Sequence, residues 1–156
     1  MTDTQCIIDV GAIIGGDESH HLVEILVDMY ARWAERQGVT CDVLDRTPAP
    51  GGGLKSGKIS LVGVDREEFA ALHAGVHVMV RTPPDDLNQR RHMCAAGVRV
   101  SGAADLELPD DMKAWGDEVR RYVFDPEPAI VDARLGRFRM DPGVMIAGDF
   151  SLLHRT

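Results

Sequence analysis

Lysine is nearly missing from this 156-residue sequence, which holds only Lys55, Lys58 and Lys113, so any basic surface must be built from arginine. Charge of the positive sign is also in deficit overall. The net charge of −8 repels phosphates over most of the surface and excludes nucleic-acid binding by bulk charge, though it leaves room for a local arginine patch. Cysteine is sparse and odd in number. Cys6, Cys41 and Cys94 form no Cys-x-x-Cys pair, so a zinc site lacks its ligand spacing and buried, reduced thiols are expected. No run approaches the ~18 apolar residues of a membrane span. The polar start, Met1 to Gln5, lacks the basic stretch of a secretory signal. A cytoplasmic protein with no membrane partner is expected.

What is present is ordinary for a globular fold: 44% hydrophobic and 27% charged residues, in a chain long enough to bury a core. Gln5 to Val10 alternates as a strand and ends at the Gly15-Gly16 turn. Asp17, read as an N-cap, and Glu18 open a long helix. Leu22, Ile25, Leu26, Met29 and Trp33 share one face of it, and Gly38 is placed to stop it as a left-handed cap. Strands follow at Val39 to Leu44 and Lys58 to Val64, separated by a Pro/Gly turn from Thr47 to Gly53. A short helix from Asp65 to Leu72 precedes strands at Val76 to Val80, Met93 to Val100 and Leu106 to Leu108. A second helix is expected from Pro109 or Asp110 to about Val119, then a tail rich in Pro, Gly and Asp with a helical end near Asp149 to His154. The fold class is α+β: a mostly antiparallel sheet with one long helix across a face and the C-terminal tail packed on it.

Several catalytic patterns fail on physical grounds. Gly52 to Lys58 nearly has P-loop spacing, but Ile59 replaces the magnesium-binding hydroxyl and a strand, not a helix N-terminus, follows. His73 and His77 are four apart, yet Gly75 interrupts them and His77 falls in a strand pattern; they are read as ordinary histidines. No Gly-x-Ser-x-Gly elbow occurs. No cofactor, metal or catalytic residue is expected. Arg90-Arg91-His92, with Arg81 and Arg99 nearby, is a basic cluster directly after the stiff Pro83-Pro84 segment. It reads either as a solvated arginine patch or as an RNA contact.

Several segments together resemble bacterial class I peptide-chain release factors, most closely the type that reads UGA and UAA. They are Gly15-Gly16-Asp17-Glu18, Met29 to Glu35 (similar to Met-Tyr-x-Arg-Trp-Ala-Glu), Gly53-Leu54-Lys55-Ser56, Gly75-Val76-His77 and Arg90-Arg91-His92. Trp115-Gly116 with Arg120 to Phe124, Asp132-Ala133-Arg134 and Ala147-Gly148-Asp149 extend the likeness to the tail. The resemblance implies the family's decoding superdomain alone. Residues 1–156 would form one domain, with 1–108 the decoding part and 109–156 the tail. The family's N-terminal helical domain and its Gly-Gly-Gln domain have no counterpart: Leu108 and Trp115 are joined by six residues, and no Gly-Gly-Gln occurs.

By the same resemblance, the codon-reading Ser-Pro-Phe tripeptide maps onto Pro83-Pro84-Asp85, and a base-reading threonine is Met93. Only the central proline and the stacking histidine, His92, are kept, so codon reading is expected to be lost or altered. Pro-Pro-Asp-Asp is equally a good turn that recognises nothing. The expected function is a release-factor-like protein that is not an enzyme and lacks peptidyl-tRNA hydrolysis. It would bind the decoding centre of the small ribosomal subunit, its rRNA and mRNA, through Arg90, Arg91, His92 and Arg99, and modulate translation. The alternative is a protein-interaction module on the same fold, with another protein as partner and no affinity for the ribosome.

Overall fold

A computed structural model describes residues 5–84, 86–109 and 111–154. Strand β1 (Gln5–Ile14) is flanked by β3 (Leu54–Val62) and β5 (His92–Ser101), all antiparallel. With β2 (Thr40–Pro48), β4 (Gly75–Arg81), β6 (Glu118–Val123), β7 (Ala129–Asp132) and β8 (Gly136–Arg139) they form one sheet, in the order β2-β3-β1-β5-β4-β6-β7-β8. Every neighbouring pair is antiparallel except β4 with β6, which is parallel. The expected α+β class, with its mostly antiparallel sheet, is what is found.

Helix α1 (Asp17–Gln37) lies across one face. Its apolar stripe of Leu22, Leu26, Met29 and Tyr30 meets Cys6, Ile8 and Val10 of β1, Met79 of β4 and Ala96 and Val98 of β5. Alternate residues of a strand face the same way, so these strand positions form one surface. Each large side chain fully buried there stabilises by about 1.5–3 kcal/mol. Gly38 closes the helix in the left-handed conformation (φ 69°), as its position suggests. At the other end the cap is Gly16, not Asp17, and it gives no side-chain cap. The chain enters the helix at φ 54° there, a conformation that costs glycine little. Helix α2 (Arg66–His73) is capped by Asp65, which accepts from the Glu68 N–H at 3.1 Å.

Two expectations for the connection to the tail are corrected. Leu106 to Leu108 is not a strand. Among the described residues no strand pairs with it in a ladder, and Arg99 side-chain N–H groups donate to the Glu107 and Leu106 carbonyls instead. The second helix shrinks to α3 (Met112–Trp115), and Glu118 to Val123 is strand β6. Gly116, at φ 103°, ends the helix, and the Val119 to Val123 run suits a pleated, half-buried strand better. Asp110 lies outside the described residues. Trp115 covers the sheet face opposite α1, where Gly11 and Gly97 pair across β1 and β5. A methyl group at Gly97 would sit 2.1 Å from the Trp115 ring. Two facing glycines are what let the indole lie flat. A short α4 (Pro142–Ile146) and a 3₁₀ turn (Ser151–His154) bring Met145, Phe150, Leu152 and Leu153 into the α1-side core.

Beneath α1 the tail is joined to the sheet by a buried polar network. Arg120 is fully buried. It donates Nε to Asp132 Oδ2 (3.1 Å), Nη1 to Tyr122 Oη (3.3 Å) and to His73 Nδ1 (3.4 Å), and Nη2 to the Leu72 carbonyl. His77 Nε2 lies 2.8 Å from the His73 carbonyl and must donate to it, so Nδ1 accepts from the Tyr122 hydroxyl at 2.9 Å. Burial first, and then Arg120, pushes the His77 imidazole down to about 3 and holds His73 well below its ordinary value. Both rings are therefore neutral.

This network makes stability sensitive to substitution and to pH. Arg120→Met leaves Asp132 buried without its cation and is expected to cost about 3–5 kcal/mol in urea unfolding. In the unfolded chain both histidines take a proton near pH 6.5, whereas folded His77 resists protonation until about 3. Their contribution is complete above pH 6.5 and falls by about 1.4 kcal/mol per pH unit per histidine as pH drops below it. Urea midpoints measured from pH 7 to 5 should fall, and less steeply in His77→Gln.

Candidate nucleic-acid interface

The loop between β4 and β5, residues 82–91, holds most of the residues singled out from sequence. Its base is tied to the tail: Thr82 donates its N–H to Asp125 Oδ2 (2.8 Å) and its hydroxyl to Oδ1 (3.0 Å). Pro83 is buried, whereas Pro84 is exposed. Asp85 lies outside the described residues. Asp86 organises the rest of the loop. Its N–H donates to the Pro83 carbonyl (3.2 Å) and its own carbonyl accepts from Gln89 (3.0 Å). Its carboxylate accepts from the Asn88 N–H at 2.8 Å, the local bond that makes Asp a turn residue. The same carboxylate lies 2.6 Å from His92 Nε2 and 3.5 Å from Arg90 Nε. The His92 bond, then the Asn88 N–H, holds the Asp86 carboxyl below the usual carboxylate range.

Next to this loop stands the N-terminus of α1. Glu18 accepts both Arg81 Nε (2.7 Å) and Nη2 (2.8 Å), and His21 Nδ1 lies 3.2 Å away. The Arg81 fork, above all, keeps the Glu18 carboxyl ionised at lower pH than usual. Between helix start and loop lies a cleft of about 470 Å³ whose walls include Gly15, Asp17, His21, Pro83, Arg90 and His92. The arrangement offers ring nitrogens, an arginine and turn backbone to a flat polar ligand, beside Glu18 and Asp86, which already accept hydrogen bonds, and exposed Asp17.

The structure gathers some of the expected residues and separates others. Arg90 and Arg91 are exposed on the loop and His92 is half-buried on the α1 side of the sheet. Among the described residues Arg91 makes no ion pair. Met93 follows His92 on the strand and points to the opposite face, 60% exposed. Arg99 is seven residues along β5, about 23 Å from His92 at strand rise. There it pairs with fully buried Asp9 (2.9 Å), which Lys58 approaches from β3 at 3.2 Å. Arg81 is likewise spent on Glu18. Nothing in the local pattern hints at the Glu18–Arg81 pair, because 63 residues separate its members. Asp86 as loop organiser was hidden inside what looked like a plain Pro-Pro-Asp-Asp turn.

The family model described as the PCRF domain matches residues 1–98. Peptide chain release factor 2 of Pseudothermotoga lettingae is 39% identical over 104 residues, 64% of this chain and 28% of that protein. Its counterpart in Chlamydia muridarum is 38% identical over 117 residues, 75% of this chain and 32% of that one. The solved structure of RF2 of Thermus thermophilus superposes with a TM-score of 0.80 at 23% identity, covering 97% of this chain and 66% of that one; this likeness concerns the fold. The chain spans about a quarter to a third of the length of the curated relatives it matches.

Replacing Asp86 by Asn removes the charge that holds His92 and Arg90. Trypsin cleavage after Arg90 or Arg91, followed by mass spectrometry under native conditions, should be faster in Asp86→Asn than in the wild type. Unchanged cleavage would show that the turn is held without the carboxylate. With its N-terminal two thirds matching that domain, and release factors of several bacteria among its relatives, the chain belongs to the PCRF-domain family of peptide chain release factors.

Proposed function

We propose that the protein binds the decoding region of the small ribosomal subunit and modulates translation by occupancy, without hydrolysing peptidyl-tRNA. The observation that carries this reading is the braced loop: Arg90 and Arg91 project to solvent beside His92 and the start of α1, within the matched family segment. A phosphate backbone would meet the arginines, and a base would enter the cleft against His92. Arg99 belongs to the proposed contact only if its pair with Asp9 opens. The altered tripeptide, Pro83-Pro84-Asp85, together with Met93, removes hydroxyl donors and an aromatic ring from the reading surface, so codon selectivity is lost or changed.

The absence of hydrolysis rests on chemistry. Ester cleavage on the ribosome needs a group preorganised at the ester, remote from the codon. In this sequence six residues connect Leu108 to Trp115 and no Gly-Gly-Gln is present, while Trp115 is seated on the sheet. The net charge of −8 and the loss of the Ser-Pro-Phe pattern favour a second reading, a protein-interaction module that no longer visits the ribosome.

Sedimentation of the protein with purified small subunits decides between them. Binding should fall steeply between 50 and 200 mM salt, as expected when phosphate contacts release counterions, which for roughly two to four contacts is about 10–100-fold. Arg90→Ala/Arg91→Ala should weaken binding and flatten the salt dependence. Stalled termination complexes should release no peptide on addition of the protein. Salt-independent association that ignores both substitutions would refute the proposed contact.

A further inference from the structure

Leu87 is 97% exposed, the most exposed large apolar side chain among the described residues. It occupies the second position of the turn from Asp86 to Gln89, closed by the Gln89 N–H on the Asp86 carbonyl and by the Asn88 N–H on the Asp86 carboxylate. The same carboxylate anchors the turn to His92. A hydrogen-bonded turn thus holds a leucine out in water, where it forgoes the stabilisation that burial would give. None of the described residues covers it, although the side chain forms part of the cleft wall with Pro83, Arg90 and His92.

The surroundings indicate what would cover it. Arg90 and Arg91 follow within four residues and are exposed. Of the carboxylates in the cleft wall, Asp86 and Glu18 are held by His92 with Arg90 and by Arg81 with His21, and Asp17 is exposed. An apolar side chain close to two exposed arginines suits RNA, whose phosphates meet the arginines while an apolar wedge packs on the face of an unstacked base. A basic protein surface would be repelled by the same arginines.

We infer that Leu87 is an apolar wedge that packs against an unstacked RNA base when Arg90 and Arg91 engage the backbone. This rests on the ribosome-binding reading above and adds a residue and a mode of contact to it. The side chain supplies affinity that does not depend on salt, whereas the arginines supply the part that does.

The test uses small ribosomal subunits programmed with a short messenger carrying 2-aminopurine in the vacant A-site codon, and the full chain as wild type, Leu87→Ala, Leu87→Met and Arg91→Ala. Leu87→Ala should weaken binding about ten-fold at every salt concentration, with an unchanged slope of log affinity on log salt, and abolish the change in 2-aminopurine emission. Leu87→Met should retain both. Arg91→Ala should lower the slope by about one. Because Leu87 touches so little of the fold, urea midpoints should be alike. Wild-type affinity in Leu87→Ala, with Arg91→Ala weakened, would overturn the wedge and leave the ribosome reading standing. Leucine-dependent binding without any emission change would overturn it in favour of a protein contact. Failure of the wild type to bind would remove both.

Discussion

A guanidinium with no access to water has to be saturated by the protein, and in this fold Arg120 is that group. Its partners come from the end of α2, from β6 itself and from β7, and Tyr30 of α1 reaches the same cluster at 3.2 Å from His73. Such a pair stabilises less than its Coulomb energy suggests, because both charges give up hydration. Its weight lies in what it forbids. Any packing that shifts β6 relative to β4, or lifts the tail from the sheet, strands a buried charge. The parallel insertion of β6 beside β4 therefore makes one sheet of the N-terminal strands and the tail. That sheet in turn places Asp125, which pins Thr82 at the base of the exposed loop.

The arginines divide into two populations that the sequence does not distinguish. Arg81, Arg99 and Arg120 each satisfy an acidic partner: Glu18, Asp9 and Asp132. Arg90 and Arg91 are exposed, Arg90 at 3.5 Å from Asp86 and Arg91 without an ion pair among the described residues. From sequence alone Arg81 and Arg99 looked like members of one patch, since linear proximity was the only available measure. The period of two along β5 was a usable signal: His92 and Met93 must point to opposite faces, and Arg99 falls on the face of Met93. The acidic partner of Arg99 was not readable, because Asp9 is 90 residues away and neighbours it only through strand pairing.

Fold legibility follows the same distinction between local and distant causes. Helix α1 was readable because its apolar period, its acidic first turn and Gly38 are all encoded within one short, continuous stretch. Strands β1 and β3 were readable by alternation, and β4 and β5 as short, largely apolar runs. Leu106 to Leu108 alternates equally well, but a strand needs a neighbour, and Arg99 satisfies its carbonyls instead. Strand β6 was mistaken in part for helix because Met112 to Trp115 begins one and because a parallel pairing leaves no mark in the local pattern. Gly116 and the β-branched and aromatic run after it were the overlooked signals. Leu87 escaped notice for a different reason. A single leucine in a polar loop is common, and only its exposure on a braced turn sets it apart.

An acidic body and a local pair of exposed arginines are compatible because charge acts over a limited range. At physiological ionic strength the screening length is about 8 Å. Edge strand β2, which carries exposed Asp42 and Asp45, is three strands from β5 in the sheet order, or about 14 Å at the usual strand spacing. Most closer carboxylates are engaged inside the fold: Asp9 lies between Lys58 and Arg99, Glu18 is held by Arg81, and Asp86 is hydrogen-bonded to His92 and lies 3.5 Å from Arg90, while Asp17 in the cleft wall is exposed. The potential that a ligand meets at the loop is therefore set by Arg90, Arg91 and the few groups around them, not by the total of −8. The remote negative charge still weakens attraction at long range. An acidic protein of this build is poorly suited to indiscriminate attachment to RNA and depends on the fit at its loop.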